Sequence, residues 1–185
     1  MPAAALLPVQ VEPPTGALSE RHHPWYALHV QARHEKTVAL HLRDRGYRDF
    51  LPVYTCTHRW SDRVQKIELP LFPGYLFCRL DAGHRVPVVT IPGVINIVGI
   101  AKRPHPVDED EIAALQTVMR SGLLLEPWPF LKAGQRVRIQ DGPLRNVEGM
   151  LSEVSDRGQF VVSVTLLQRS VAVTIDRSWI RPISS

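Results

Sequence analysis

The sequence has little cysteine and no long apolar run. Its two cysteines, Cys56 and Cys78, make neither a disulfide framework nor the spacing of a metal site. This usage is typical of a protein from a reducing cytoplasm. A membrane helix needs about 18 continuous apolar residues, and no segment approaches that length. We therefore expect no membrane partner.

Signals for catalysis are missing as well. The chain has no phosphate-cradling glycine loop, no nucleophile with an adjacent base, and no cluster with metal-ligand spacing. Its histidines are scattered, and His34 and His41 stand seven residues apart, whereas a helical metal pair uses i, i+4. We predict that the protein is not an enzyme and binds no cofactor and no metal.

The first 24 residues are rich in proline and alanine. They lack the basic start and the apolar core of a signal peptide. Such a composition cannot bury enough apolar surface to fold. We predict a disordered tail over residues 1–24.

Residues 25–122 alternate between strand and helix patterns. In the first helix Val38 and Leu42 share a face, and Gly46 is placed to end it. The order favours an α/β sandwich with a largely antiparallel sheet. The predicted elements are a strand over 25–31, a helix over 33–46, a strand over 47–55, a polar basic hairpin or loop over 56–69, a strand starting at Gly74, a strand over 92–100 and a helix over 107–122.

A run of four carboxylates, 108–111, opens the second helix. Clustered carboxylates could suggest a metal site. However, they stand at a helix N-terminus, where the backbone dipole favours negative charge. We therefore interpret the run as capping.

The pattern changes after Gly122. Residues 123–132 contain two prolines that flank a tryptophan, and we expect an interdomain linker there. Residues 133–185 then carry four short strand patterns separated by turn signals, which favours a small β-barrel. The predicted fold class is α+β, with an α/β domain over 25–122 and an all-β domain over 133–185.

The second domain resembles a KOW domain. The segment "AGQRVRIQDGPLRNVEGMLSEV" (133–154) has a strand, a tight turn and then Gly149 within the next strand. A glycine at such a place lets a barrel bend or another backbone approach closely. KOW barrels occur in ribosomal proteins and in transcription elongation factors.

The first domain narrows this choice. Its motifs "WYALHVQARHEKTVALHLRDRG", "PLFPGYLFCRL" and "IPGVINIVGI" resemble the N-terminal (NGN) domain of the NusG family, and the resemblance extends over nearly everything after residue 24. The ending, from "EPWPFLKAGQRVRI" to "DRSWIRPI", is more similar to specialised paralogues of the UpxY and RfaH type than to housekeeping NusG.

This resemblance implies a transcription elongation and antitermination factor. Such a protein binds the clamp helices of RNA polymerase through its N-terminal domain and suppresses pausing or termination. Its KOW domain recruits a small-subunit ribosomal protein or Rho. We expect a bacterial, cytoplasmic monomer, associated with the nucleoid through polymerase. The alternative is a ribosome-associated, RNA-binding KOW protein that does not contact polymerase.

The resemblance also implies which residues bind polymerase. In the strand after Gly74, Tyr75 and Phe77 project to one face while Leu76 and Cys78 project to the other. Aromatic side chains suit an interface hot spot, although both faces could instead be core. A loop over 83–89 supplies a second candidate contact, His84, but lacks the threonines of RfaH-like proteins. The predicted polymerase contacts are Trp25, Tyr26, Phe50, Leu51, Tyr75, Phe77, His84 and Ile97.

Basic residues dominate the first helix and the hairpin. Residues 25–66 hold eight Lys and Arg against four Asp and Glu. Phosphate contacts to upstream or non-template DNA would use this charge without reading sequence. A tryptophan among them could stack on an unpaired base. A solvated mixed-charge face is the alternative. The candidates are Arg33, Lys36, Arg43, Arg45, Arg59, Trp60, Arg63 and Lys66.

In the barrel, the resemblance places the partner-binding loop at residues 165–170. The candidates are Leu166, Leu167 and Arg169, and strand alternation predicts that Leu167 is the more exposed leucine. The flanking strands are rich in Val and Thr, which favour strand over helix. We therefore predict a stable barrel that does not switch to a helical fold.

Overall fold

The computed structural model describes residues 23–59, 64–101, 103–129, 134–152 and 159–182. The predicted disordered tail lies outside these residues except for its last two positions.

The first domain is built from short antiparallel strands and three helices. Its elements are β1 (Trp25–Val30), α1 (Glu35–Asp44), β2 (Asp49–Phe50), β3 (Val53–Arg59), β4 (Val64–Pro70), β5 (Tyr75–Arg79), α2 (Val86–Val89), β6 (Val94–Ile97), β7 (Gly99–Ile100), β8 (Arg103–Pro104), β9 (Pro106–Val107) and α3 (Glu109–Arg120).

Strand β1 is the centre of the first sheet. The order is β2-β5-β1-β6, and β9 pairs with the remaining length of β1 beside β6. Val98 N–H still donates to the Ala27 carbonyl at 2.8 Å, and the next residues form β7, which pairs with β8 instead of β1. The strand predicted over 92–100 is therefore two strands.

The strand predicted over 47–55 is also divided. Residues 49–50 pair with β5, whereas β3 pairs with β4 in a separate two-stranded hairpin. Pro52, which has no N–H for a ladder, stands between them. The polar basic segment predicted as a hairpin or loop forms most of this hairpin, with residues 60–63 outside the described residues.

Helix α1 covers one face of the first sheet. Val38, Ala39 and Leu42 are buried against the even-numbered side chains of β1 and β5, which include Leu28 and Leu76. The predicted spacing of apolar residues in this helix is confirmed. The helix ends just before Gly46, which has φ +81°, as predicted.

The second sheet has six antiparallel strands. They are β10 (Leu125–Pro129), β11 (Gln135–Ile139), β12 (Glu148–Ser152), β13 (Gln159–Val164), β14 (Arg169–Thr174) and β15 (Ile180–Pro182). Their order is β10-β14-β13-β12-β11-β15. Together with the first domain, this confirms the α+β fold class.

The expected linker over 123–132 contains strand β10, which differs from the prediction. Residues 125–129 pair with β14 along their whole length. The two prolines, Pro127 and Pro129, had suggested a linker, but they lie on an edge strand, where a missing N–H is tolerated. The division of the chain into domains at these residues stays a prediction.

Gly149 lies where a side chain would not fit. It pairs with Val137, and a Cβ atom at this position would come within 2.6 Å of Phe160 Cζ and 2.7 Å of the Val161 oxygen. This close approach matches the role predicted for a glycine within a barrel strand. Among the described residues, no helix is both long and apolar enough to span a membrane.

Candidate interaction site

The Pro–Gly turn before β5 places the first aromatic residue of the candidate site. Gly74 has φ +82°, a conformation that other residues rarely adopt. Its N–H donates to Glu35 Oε1 at 2.8 Å, and its carbonyl accepts from Val30 N–H at 2.8 Å. The next residue, Tyr75, stacks on His29 with ring centroids 5.1 Å apart. The turn therefore fixes where Tyr75 begins the strand.

The face of the sheet opposite α1 carries a cluster of aromatic rings. Phe50 stacks on Phe77 at 5.9 Å, and Phe72 meets Phe77 edge-on at 6.0 Å. Trp25 meets Phe50 edge-on at 6.4 Å. Such pairs add stability beyond area burial. Tyr75 and Phe77 of β5 thus lie on one face, as the alternation predicted, and Trp25 of β1 lies on the same face.

Several predicted polymerase contacts are core residues in this structure. Phe77 is fully buried, and Trp25 is 2% exposed with the Arg79 guanidinium 4.8 Å from its ring centroid. Tyr26 is 6% exposed and lies on the opposite face, in the cluster under α1. These three aromatics do not reach the surface here, because the sheet is covered on both sides.

The remaining apolar candidates lie at the margins of the sheet. Phe50 and Tyr75 are half-buried and pack against the aromatic face. Leu51 and Ile97 are also half-buried, but they pack against the cluster under α1. The surface that the structure leaves for docking on the aromatic face is therefore the rim formed by Phe50 and Tyr75, which we call the aromatic rim.

The predicted partner loop of the barrel lies beside this rim. The Arg169 guanidinium is 5.9 Å from the centroid of the Tyr75 ring, a cation–π geometry. Leu166 and Leu167 are both half-buried against the same apolar cluster. Residues 165–167 form a 3-10 turn, to which strand alternation does not apply, so the expectation that Leu167 is the more exposed leucine stays a prediction.

The carboxylates that open α3 do more than cap it. Asp108 accepts from the Asp110 N–H at 2.8 Å, so the capping prediction is confirmed for Asp108. Glu109 forms a two-pronged ion pair with Arg79. Glu111 instead contacts the barrel, accepting from the Thr165 hydroxyl at 2.6 Å and from its N–H at 3.2 Å.

Arg79 and Thr165 were not among the predicted site residues. Sequence patterns could not have found them, because their partners lie 30 and 54 positions away along the chain. The run of four carboxylates at 108–111 was the one sequence feature that pointed to these contacts. Because helix capping already accounts for such a run, it did not predict a contact with Arg79 or Thr165.

Several predicted phosphate-binding residues have partners within the chain. Lys36 pairs with Glu68 at 3.1 Å, and Arg45 donates to the Pro87 carbonyl. Arg43 pairs with Asp49 at 2.7 Å, and this hydrogen bond with its Coulombic attraction raises the pKa of Arg43. The Lys36–Glu68 pair is exposed on both sides and contributes about 0–1 kcal/mol, so competition from phosphate would cost little there. The Asp49 side chain, by contrast, is only 4% exposed, so Arg43 is held by a largely buried carboxylate.

The structure gives less detail for the other basic candidates. Arg33, at φ 69°, and Lys66 are both exposed. Arg59 belongs to β3, but only its backbone is described, and Trp60 and Arg63 lie outside the described residues. The described candidates therefore lie on α1, just before it, and on the hairpin.

His84 stands apart from the aromatic rim, in an exposed 3-10 turn. Its Nδ1 lies 2.7 Å from Asp81 Oδ2, and the side chain of His84 is 88% exposed. The hydrogen bond with His84 and the Gly83 N–H lower the pKa of Asp81. Within the described residues, no group of three or more His, Cys, Asp and Glu side chains could hold a metal ion.

Comparison with known proteins defines the class of this fold. Residues 23–116, half of the chain, match the family described as "Transcription termination factor nusG". Together with the antiparallel first sheet and the all-β second unit, this match defines a two-part transcription factor. The chain belongs to the NusG family.

Relatives and one solved structure extend the likeness to most of the chain. NusG of Thermus thermophilus, a transcription termination/antitermination protein, is 29% identical over 83% of this chain and 95% of its own length. The Escherichia coli K12 protein is 26% identical over 83% and 93%. A structure titled "Domain interaction in Thermotoga maritima NusG" is similar in fold, with a TM-score of 0.55 and 19% identity over 89% of this chain and 99% of that one.

Proposed function

We propose that this protein is a transcription elongation and antitermination factor that binds the clamp helices of RNA polymerase through the aromatic rim. Bound to polymerase in the bacterial cytoplasm, the protein suppresses pausing or termination. Within its family it is a specialised paralogue. The barrel loop 165–169 recruits a second partner, a small-subunit ribosomal protein or Rho. One observation carries the proposal: Tyr75 of the rim and Arg169 of the loop lie against each other.

This contact brings one residue of each proposed binding surface together. Leu166 and Leu167 pack against the cluster that also receives Phe50 and Tyr75. A large partner that binds around Tyr75 would compete with Arg169 for the face of the Tyr75 ring. Polymerase docking therefore requires the barrel to leave the rim, and that movement also uncovers the barrel loop.

The basic residues supply the second part of the proposal. Arg33 and Lys36 beside and on α1, together with Lys66 on the hairpin, are exposed. We propose that they contact phosphates of upstream or non-template DNA. Such contacts give binding that weakens steeply with salt and does not depend on sequence.

Recovery of purified RNA polymerase by the full-length protein tests the main proposal. Nuclease treatment should leave recovery intact, and Tyr75→Ala should weaken it by about thirtyfold, as for a hot-spot residue. Tyr47→Ala is the matched control, since Tyr47 is also half-buried but packs on the opposite face. Phe77→Ala is unsuitable here because Phe77 is core.

Two results would contradict the proposal. One is polymerase recovery that Tyr75→Ala leaves unchanged. The other is recovery of ribosomes alone, which would support the ribosome-associated alternative.

A further inference from the structure

A buried carboxylate lies beneath the Pro–Gly turn that starts β5. Glu35 is the first residue of α1, and only 4% of it is exposed. Charged side chains are seldom so deeply buried unless they have partners. The helix N-terminus favours its negative charge, and Oε1 accepts the Gly74 N–H at 2.8 Å. The carboxylate thus links α1 to the turn.

Three hydrogen bonds hold the turn. Besides the bond to Glu35, the Gly74 carbonyl accepts from Val30 N–H at 2.8 Å, and Tyr75 N–H donates to the Phe72 carbonyl at 2.9 Å. Two of these three bonds are backbone pairs that any sequence could make. The bond to Glu35 is the one that depends on a particular side chain.

A second Pro–Gly turn, at Gly93, is held in place without a carboxylate. Gly93, with φ +97°, accepts from Gln31 N–H at 2.8 Å and lies on the opposite side of β1. A Cβ atom there would meet His34 Cβ and Val38 Cγ2 at 3.1 Å, so this turn packs directly on α1. At Gly74 a Cβ atom would meet nothing closer than 3.6 Å. The looser turn is the one that carries the Glu35 bond.

We infer that Glu35 is a positioning residue for polymerase docking, which holds the Gly74 turn so that Tyr75 is presented at the aromatic rim. This inference rests on the proposed function. Loss of the carboxylate removes one restraint on Gly74, whose conformation is otherwise easily changed. Tyr75 then samples other orientations, and docking must first select the correct one.

Substitutions at position 35 of the full-length protein separate positioning from general stability. Glu35→Ala removes the acceptor, whereas Glu35→Gln keeps an amide oxygen that can accept from Gly74. Ile91→Val is the control, because it removes one buried methyl from the cluster under α1 and leaves the Gly74 bond in place. Two quantities are measured for each variant: hydrogen exchange of the Gly74 amide by NMR, and affinity for purified RNA polymerase.

Glu35→Ala should speed exchange at Gly74 and weaken polymerase binding by about tenfold. Glu35→Gln should restore most of both, and Ile91→Val should leave both near wild type. Unchanged exchange at Gly74 in Glu35→Ala would overturn the inference. So would faster exchange with full polymerase affinity, a result that leaves the proposed function standing. If the wild-type protein failed to bind polymerase, the proposed function would fall instead, and the inferred docking role of Glu35 would fall with it.

Discussion

The two faces of the first sheet are both buried, but they are closed in different ways. The face under α1 is mostly aliphatic, and its cover, α1, follows β1 directly in the chain. The other face is aromatic, and its cluster includes side chains of α3 and of the second sheet, among them Val164 and Val171. One face is therefore completed locally, and the other partly by elements that begin at least 79 residues after the end of β1.

This difference separates stability from function. A face closed within its own domain has no surface left to offer a partner. A face closed partly by another domain can be uncovered when that domain moves, at the cost of the contacts between them. The aromatic rim belongs to the second kind, because Arg169 of the barrel lies over the Tyr75 ring.

The largest expected effect is on stability at the centre of the aromatic face. Phe77→Ala should lower the free energy of unfolding by about 3–5 kcal/mol, because it empties a site between Phe50 and Phe72. Chemical denaturation measures this loss. Leu40→Ala, at an exposed apolar residue of α1, is the control and should cost far less. A loss below 1 kcal/mol for Phe77→Ala would place Phe77 on the surface and remove the distinction between core and rim.

A smaller effect is expected on the closure between the domains. Glu111→Ala removes the acceptor of the Thr165 hydroxyl and N–H and should favour opening by about 1 kcal/mol, which is roughly a fivefold shift. NMR shifts of the Tyr75 ring report the change in cover. Asp110→Ala is matched to it in helix turn and charge, and the structure gives the Asp110 side chain no bond to Thr165. Equal responses to the two substitutions would mean that the Glu111 bond does not hold the barrel at the rim.

The smallest effect concerns His84, away from both faces. Its hydrogen bond lowers the pKa of Asp81, so the interaction stabilises the fold above the ordinary Asp range and is lost as pH falls through the lowered pKa. His84→Ala should raise the pKa of Asp81 towards its usual value, with the Gly83 N–H keeping part of the lowering. An NMR titration of the Asp81 carboxyl tests this, and an unchanged pKa would contradict it. Resonances of the aromatic rim should not move in the same titration.

Local patterns predicted the elements well where one element decides the outcome. The helix over 35–44 with its Val38 and Leu42 stripe, the aromatic and aliphatic sides of β5, and the cap at Asp108 all follow from short-range periodicity or from backbone polarity. The fold class followed from their order. The sequence motifs also led to the family, which the match over 23–116 confirms.

The features that the sequence did not predict depend on contacts between residues far apart in the chain. Strand β10 looked like a linker because its prolines are visible in the sequence, whereas its pairing with β14 is not. Alternation could not be applied to Leu166 and Leu167, because a 3-10 turn that depends on the surrounding strands interrupts the pattern. Likewise, no local pattern could show that Phe77 is buried while Tyr75 stays at the rim, since that depends on which elements cover the sheet.

The most direct test of polymerase docking at the aromatic rim is site-specific photocrosslinking. A photoreactive phenylalanine analogue replaces Tyr75 in the full-length protein, which is then mixed with purified transcription elongation complexes. The account predicts crosslinks to the clamp helices of the polymerase, and competition by unlabelled wild-type protein. The same analogue at Tyr47, on the opposite face, should give none. The account would be contradicted if position 75 crosslinked only to this chain's own barrel at every polymerase concentration tested.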